Sequence, residues 1–262
     1  ETTIHWHGVR VPNEMDGVPE VTQDPIQPGE SFTYTFTPKD AGTFWFHPHT
    51  RSAEQVERGL YGVLIVEDPS EPAFDSDSVM VLDDWRLTEF GQVDPRFVTP
   101  HDLAHDGRWW NTITVNGQQF ENFPVRPGSQ PRLRFVNPSN GRAYQLSFGG
   151  LRATAIAVDG MLVGEHFNAQ DFELAPGNRL DVVLQIPEDA EAGDDFYITD
   201  GFSRQINRLA EIKVGGERQE PRVTEFPQAE VFPDWSQAVS LQPDHTYILD
   251  AQRIRRQGRG MM

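Results

Sequence analysis

Gly42-Thr43-Phe44-Trp45-Phe46-His47-Pro48-His49 is the stretch on which the reading of this chain turns. Ala41-Gly42 ends one extended run, and Thr43 opens an aromatic run that reads as the next strand. That run leads into a His-x-His pair, His47 and His49. A second pair, His5-Trp6-His7, stands near the start of the chain. Residues two apart on a strand face the same side, with Cα atoms roughly 6 to 7 Å apart at a rise of ~3.3 Å per residue. A histidine nitrogen sits only ~2 Å from a metal it binds. One metal shared within a pair is therefore awkward, whereas two such strands side by side suit two or three metals between them. Imidazoles without thiolate fit Cu, Zn, Fe or Ni. A lone histidine in a strand is ordinarily a half-buried polar residue. Two pairs, each beside aromatics and Gly or Pro, point to metal.

Working outward, the first 70 residues read as β. Ser31-Phe-Thr-Tyr-Thr-Phe-Thr37 alternates aromatic and hydroxyl side chains at period two, the pattern of a half-buried strand, and follows a Pro28-Gly29 turn. Residues 53–58 suit a short helix or loop, and Gly62-Val-Leu-Ile-Val-Glu67 closes the block. Residues 68–77, polar with two prolines, read as a linker. The clearest strands beyond it are 79–82, 112–115, 132–136, 153–158 and 180–184. Pro127-Gly128 and Pro176-Gly177 precede two of them as Pro28-Gly29 does in the first block. This suggests two related Greek-key sandwich units. After about Gly215 the pattern weakens, although 246–249 suits one more strand.

The 262 residues are 37% hydrophobic and 11% aromatic, enough to fill a core. The net charge of −18 repels phosphate backbones, which disfavours nucleic acid as a partner. No apolar run approaches the ~20 residues of a membrane span. Cysteine is absent, so disulfides, thiolate metal sites and cysteine nucleophiles are excluded.

His5-Trp6-His7-Gly8 resembles the first copper motif of multicopper oxidases, the laccase, copper-efflux oxidase and ascorbate oxidase family. Gly42 to His49 resembles the second. Val11-Pro-Asn-Glu-Met-Asp16-Gly-Val-Pro19 is similar to the bacterial family's intervening loop, and 55–66 to the strand that ends its first cupredoxin domain. In the second block Leu82-Asp-Asp-Trp85, Val115-Asn-Gly117, Arg132 to Asn137, Ala157-Val-Asp-Gly160 and Leu174 to Asp181 continue the likeness, to about residue 217. The resemblance implies an all-β chain of two cupredoxin-like Greek-key sandwich domains, 1–70 and 71–217, with 218–262 leading toward a third. It implies a trinuclear copper cluster in which His5 binds the type 2 copper, His7 and His47 share one type 3 copper, and His49 binds the other. Asp16 matches an acidic residue that supports proton delivery during oxygen reduction. Its alternative reading is a turn aspartate before Gly17.

The chain departs from the family in two respects. Four further cluster histidines and a Cys- and His-held type 1 copper are not found in it. Glu1-Thr-Thr-Ile4 also reads as mid-strand, so opening strands are expected before it. The expectation is a fragment of a laccase-like enzyme whose parent couples one-electron oxidation of phenols, amines or metal ions to reduction of O2 to water, outside the cytoplasm. The fragment itself is expected to lack substrate turnover, and its partners to be a C-terminal cupredoxin domain, O2 and a small reducing substrate. The rival readings are a copper-free scaffold of the same fold and a two-domain copper reductase. His101 and His105, four apart, read as a surface loop, and His166 and His245 as structural or exposed.

Overall fold

Period-two patterning places strands on both sides of the linker. A computed structural model describes residues 1–104, 107–109 and 111–229. The expected strand at 246–249 lies outside them, as do His105 and His245. In the first block β1 (His5–His7), β2 (Gly42–His47) and β3 (Gly62–Val66) form one antiparallel sheet in the order β1-β2-β3. Helix α1 (Ser52–Glu57) lies between β2 and β3. The Ser52 hydroxyl donates to the Pro48 carbonyl at 2.8 Å, so the helix starts directly on the second histidine pair.

Residues 31–37 differ from expectation. They keep the alternation, with Tyr34 and Phe36 half-buried and the threonines exposed, but form no ladder among the described residues. Strand pairing needs aligned backbone groups on a neighbour. Here the nearby Ile4 N–H donates instead to the Tyr34 hydroxyl at 2.8 Å. Aromatic packing holds the segment, with Tyr34 and Phe36 edge-on to Trp6 at 5.6 and 5.0 Å between ring centres.

The second block runs through β4 (Asp77–Trp85), β5 (Thr112–Val115), β6 (Glu121–Val125), β7 (Arg132–Val136), β8 (Tyr144–Ser147), β9 (Arg152–Val158), β10 (Met161–Asn168), β11 (Phe172–Leu174), β12 (Arg179–Gln185), β13 (Asp195–Asp200) and β14 (Asn207–Val214). One sheet has the order β10-β9-β12-β7-β4-β5 and the other β11-β8-β13-β14-β6. Between β4 and β5, α2 (Pro100–Ala104) carries the exposed His101 where a loop was expected. The reason is a reciprocal cap: the Thr99 N–H donates to the Asp102 carboxylate at 2.8 Å, and the Asp102 N–H to the Thr99 hydroxyl at 3.1 Å.

Alternation along β7 and β12 explains where the core sits. Leu133 and Phe135, with Leu180, Val182 and Leu184, point between the sheets into the main apolar cluster. Arg132, Arg134 and Asp181 point the other way and are buried too. That outer face is covered by the linker, where Phe74 packs with Ile156, Val183 and Val223, and by β2. The buried charges are paired across this junction. Arg134 donates to the Thr43 hydroxyl at 2.8 Å, to Asp181 at 3.0 Å and to Asp77 at 2.7 and 2.9 Å. Thr43 Oγ1 in turn donates to Asp181 at 2.8 Å. A second clamp joins α1 to the far block: Glu57 accepts from Arg108 Nη2 at 3.0 Å, both side chains 3% exposed. The described residues accordingly form one compact unit.

Candidate metal centre

Strand register assembles the histidines. β1 and β2 pair with His5 opposite His47 and His7 opposite Trp45. Because faces alternate, His5, His7, Trp45 and His47 share one side of the ribbon. Trp6 and Phe46 share the other, with ring centres 5.6 Å apart. The aromatics between the histidines thus anchor the ribbon while the imidazoles face away. His49, just past β2, turns back so that its ring centre lies 4.5 Å from that of His5 and 5.2 Å from that of His47. All four histidines of the two pairs are therefore brought together. His101, on α2, and His166, on β10, are not part of the group. The His166 Nε2 lies 2.9 Å from the Pro227 carbonyl.

Ligand atoms of His5, His7 and His47 lie within 4.8 Å of one another. The shortest separation joins different pairs: His7 Nδ1 stands 3.2 Å from His47 Nε2. Two nitrogens each ~2 Å from a common tetrahedral metal stand about 3.3 Å apart. The separation therefore suits one metal held jointly by His7 and His47, and the donor set, imidazole without thiolate, suits copper.

Backbone carbonyls set the other ring nitrogens. His5 Nδ1 donates to the Asp16 carbonyl at 2.9 Å, and His47 Nδ1 to the Pro48 carbonyl at 3.2 Å, which leaves each Nε2 as the lone-pair nitrogen. The Asp16 turn reaches His5 because Gly17 is side-chain-free: a Cβ there would meet the Ile4 carbonyl oxygen at 1.9 Å. Sequence reasoning assigned Asp16 by its carboxylate, which lies 3.3 Å from His5 Nδ1. It missed the closer backbone contact, for which a sequence carries no signal.

The site favours neutral imidazole. Burial, with the charge of Arg179 and the neighbouring histidines, lowers the pKa of His7 to about 4. Burial and the flanking histidines lower that of His47 to about 4, against the pull of the Pro48 carbonyl. His49 is also lowered, by burial and His5. Unprotonated nitrogens are what a metal needs.

Comparison with known proteins gives the family. Family models described as multicopper oxidase match residues 1–71 and 77–214. Copper resistance protein A of Escherichia coli is 30% identical, over 71% of this chain and 38% of its own length. Laccase-1 of Cryptococcus neoformans var. grubii is 30% identical, over 75% of this chain and 35% of its own. The multi-copper oxidase of Pseudomonas thermotolerans superposes with a TM-score of 0.77 at 38% identity, covering 90% of this chain and 56% of that one. The chain thus spans well under half the length of these curated relatives, while the all-β, cupredoxin-like sandwich architecture is shared. Matches through both blocks of strands, from residue 1 to residue 214, make this chain a member of the multicopper oxidase family.

Proposed function

We propose that this chain supplies half of a trinuclear copper site in a laccase-like oxidase: His5 for the type 2 copper, His7 and His47 for one type 3 copper, and His49 for the other. The carrying observation is the 3.2 Å approach of His7 Nδ1 to His47 Nε2 across the β1–β2 ladder. Residues 1–70 then form the ligand-bearing cupredoxin domain and 71–217 a supporting one, with 218–262 leading toward a further cupredoxin domain. Copper, when bound, supplies one-electron redox chemistry. The whole protein would oxidise a small phenolic, amine or metal-ion donor outside the cytoplasm and reduce O2 to water. With no cysteine in this chain, a type 1 site would be supplied from outside these residues. Among the described residues no helix is long and apolar enough to cross a membrane.

The chain's residues have separable tasks. Asp16 orients His5 through its carbonyl, while its carboxylate, 35% exposed, can take up a proton from solvent and hold it 3.3 Å from His5. Asp16→Asn keeps the backbone contact. We expect copper content to stay unchanged in the whole protein while O2 consumption falls roughly a hundredfold or more, the scale of a lost proton donor. An unchanged rate would remove Asp16 from proton delivery.

The reading itself is tested by copper analysis and O2 uptake of the whole protein with a phenolic donor. Bound copper together with donor-dependent O2 uptake is expected. A folded protein that takes up no copper on reconstitution would overturn the assignment and favour a scaffold.

A further inference from the structure

The second block carries no histidine of the cluster, yet one of its turns comes close to one. Gly177, in the Pro176-Gly177 turn before β12, has φ +83°, and a Cβ on it would lie 3.3 Å from His7 Cε1 and 3.6 Å from His7 Nε2. The same Cβ would stand 3.9 Å from Trp45 Cζ2. Trp45 itself stacks on the His7 ring at 5.0 Å between centres and 30° between planes. The imidazole is thus held against the indole, and a side chain added at Gly177 would press on its Cε1–Nε2 edge. Cε1 is bonded directly to Nδ1, the atom that faces His47. Pressure on that edge swings Nδ1.

The turn is fixed from both sides. The Gly177 N–H donates to the Asn137 carbonyl at 2.7 Å. Asn137 is fully buried and donates from its side chain to the Arg142 and Leu174 carbonyls at 2.8 and 2.9 Å. Arg179, 4% exposed at its side chain, donates to the Gly177 carbonyl at 2.8 Å, the Asp159 carbonyl at 2.7 Å and the Thr43 carbonyl on β2 at 3.3 Å. Its Nη2 also lies 2.3 Å from where a Cβ on Gly8 would be. One rigid guanidinium therefore spans the turn, the strand that ends in His47, and the residue after His7. A lysine has no such fork.

We propose that Gly177 and Arg179 are positioning residues of the second block that set the His7 imidazole, and so the copper position His7 shares with His47. This rests on the reading that these two histidines hold one copper. Gly29 provides an internal control. It follows Pro28 as Gly177 follows Pro176, has φ +88°, and a Cβ on it meets nothing within 4 Å. Gly29→Ala carries the same backbone strain as Gly177→Ala without the ring contact.

The test uses the copper-loaded whole protein and the variants Gly177→Ala, Arg179→Lys, Gly29→Ala, His7→Ala and His47→Ala. The readouts are copper per chain, the rate of copper loss to a chelator, and the EPR spectrum of the copper assigned to His5. Expected is at least tenfold faster loss of one copper in Gly177→Ala and Arg179→Lys, with the His5-associated spectrum retained and Gly29→Ala matching the parent. Release rates of Gly177→Ala and Arg179→Lys equal to that of Gly29→Ala would overturn the proposal. Should Gly177→Ala fail to fold, Arg179→Lys decides alone. Unchanged copper content in His7→Ala and His47→Ala would instead sink the underlying ligand assignment, a distinct result.

Discussion

His47→Ala is expected to lower copper affinity at the shared site by on the order of a hundredfold or more, since loss of merely an outer partner of a ligand typically costs 10- to 100-fold. His47 lies close to every other ring of the group, with centres 5.3 Å from His5, 5.4 Å from His7 and 5.2 Å from His49. Its Nε2 is the partner of His7 Nδ1 at 3.2 Å, so one substitution removes half of the best-defined donor pair. The apoprotein should tolerate the change. His47 is half-buried and, with its pKa lowered to about 4, uncharged at neutral pH, so its removal strands no ion. The two states therefore separate. Copper at a hundredfold excess over its Kd stabilises a folded chain by about 2.7 kcal/mol, which for a protein of this size is on the order of 5–10 °C in Tm. The parent should show that rise on copper addition, and His47→Ala should lose most of it while keeping the parent's metal-free Tm. His166→Ala, at a histidine bound to the Pro227 carbonyl on β10, should behave as the parent. Equal copper-induced stabilisation in parent and His47→Ala would sink the assignment.

How the site came to be legible follows from what a strand repeats. Period two guarantees that His5 and His7 share a face, so each pair could be read as a unit. It does not give register, and it is the pairing of His5 with His47 that merges two pairs into one group. Register also supplies the distance that strand spacing alone could not: nitrogens from different strands, not from one pair, approach to 3.2 Å, the sense in which the pairs were read. The alternation in Ser31 to Thr37 was real in burial but carried no information about a hydrogen-bonded neighbour, and none of the described residues provides one. α2 was missed although Thr99 and Asp102 have the three-residue spacing of a cap. The charged face of β7 was opaque in another way. Arginines alternating with Leu and Phe ordinarily mark a solvent face, and only the docking of β2 and the linker shows that Arg132 and Arg134 are buried. Gly177 had a motif likeness but no visible task, because its neighbour His7 is 170 residues earlier in the chain.

That buried charge leads to the second large effect. Arg134→Met should destabilise the copper-free chain by about 3–5 kcal/mol near pH 8, the usual cost of removing one partner of a buried ion pair, and by less near pH 5. Arg134 faces Asp77 at 2.7 and 2.9 Å, Thr43 at 2.8 Å and Asp181 at 3.0 Å, and methionine keeps the apolar stem but none of these bonds. The pH dependence comes from Asp181. Burial raises its pKa to about 6, with Arg134 and the Thr43 hydroxyl opposing the rise. An acid held above its unfolded value near 3.9 gives stability that is full below pH ~4 and declines as pH climbs through the folded pKa. In the parent that decline ends near pH 6, where Asp181 ionises beside Arg134. Without Arg134 the carboxyl is held higher still, so the decline continues past pH 6 at about 1.4 kcal/mol per pH unit until the new pKa is reached. Asp77 adds a loss that does not vary over this range. Its pKa lies below the usual value because Arg134 and Arg132 outweigh its burial, and after the substitution Arg132 remains beside it. Urea unfolding of both proteins at pH 5 and pH 8 reads the difference directly. A gap that widens toward pH 8 supports Asp181 as the group left behind, whereas the same gap at both values would show that Asp181 does not depend on Arg134. The strand on the other side of this contact is β2, so the charge cluster that makes the junction pH-sensitive also holds the strand that ends in His47.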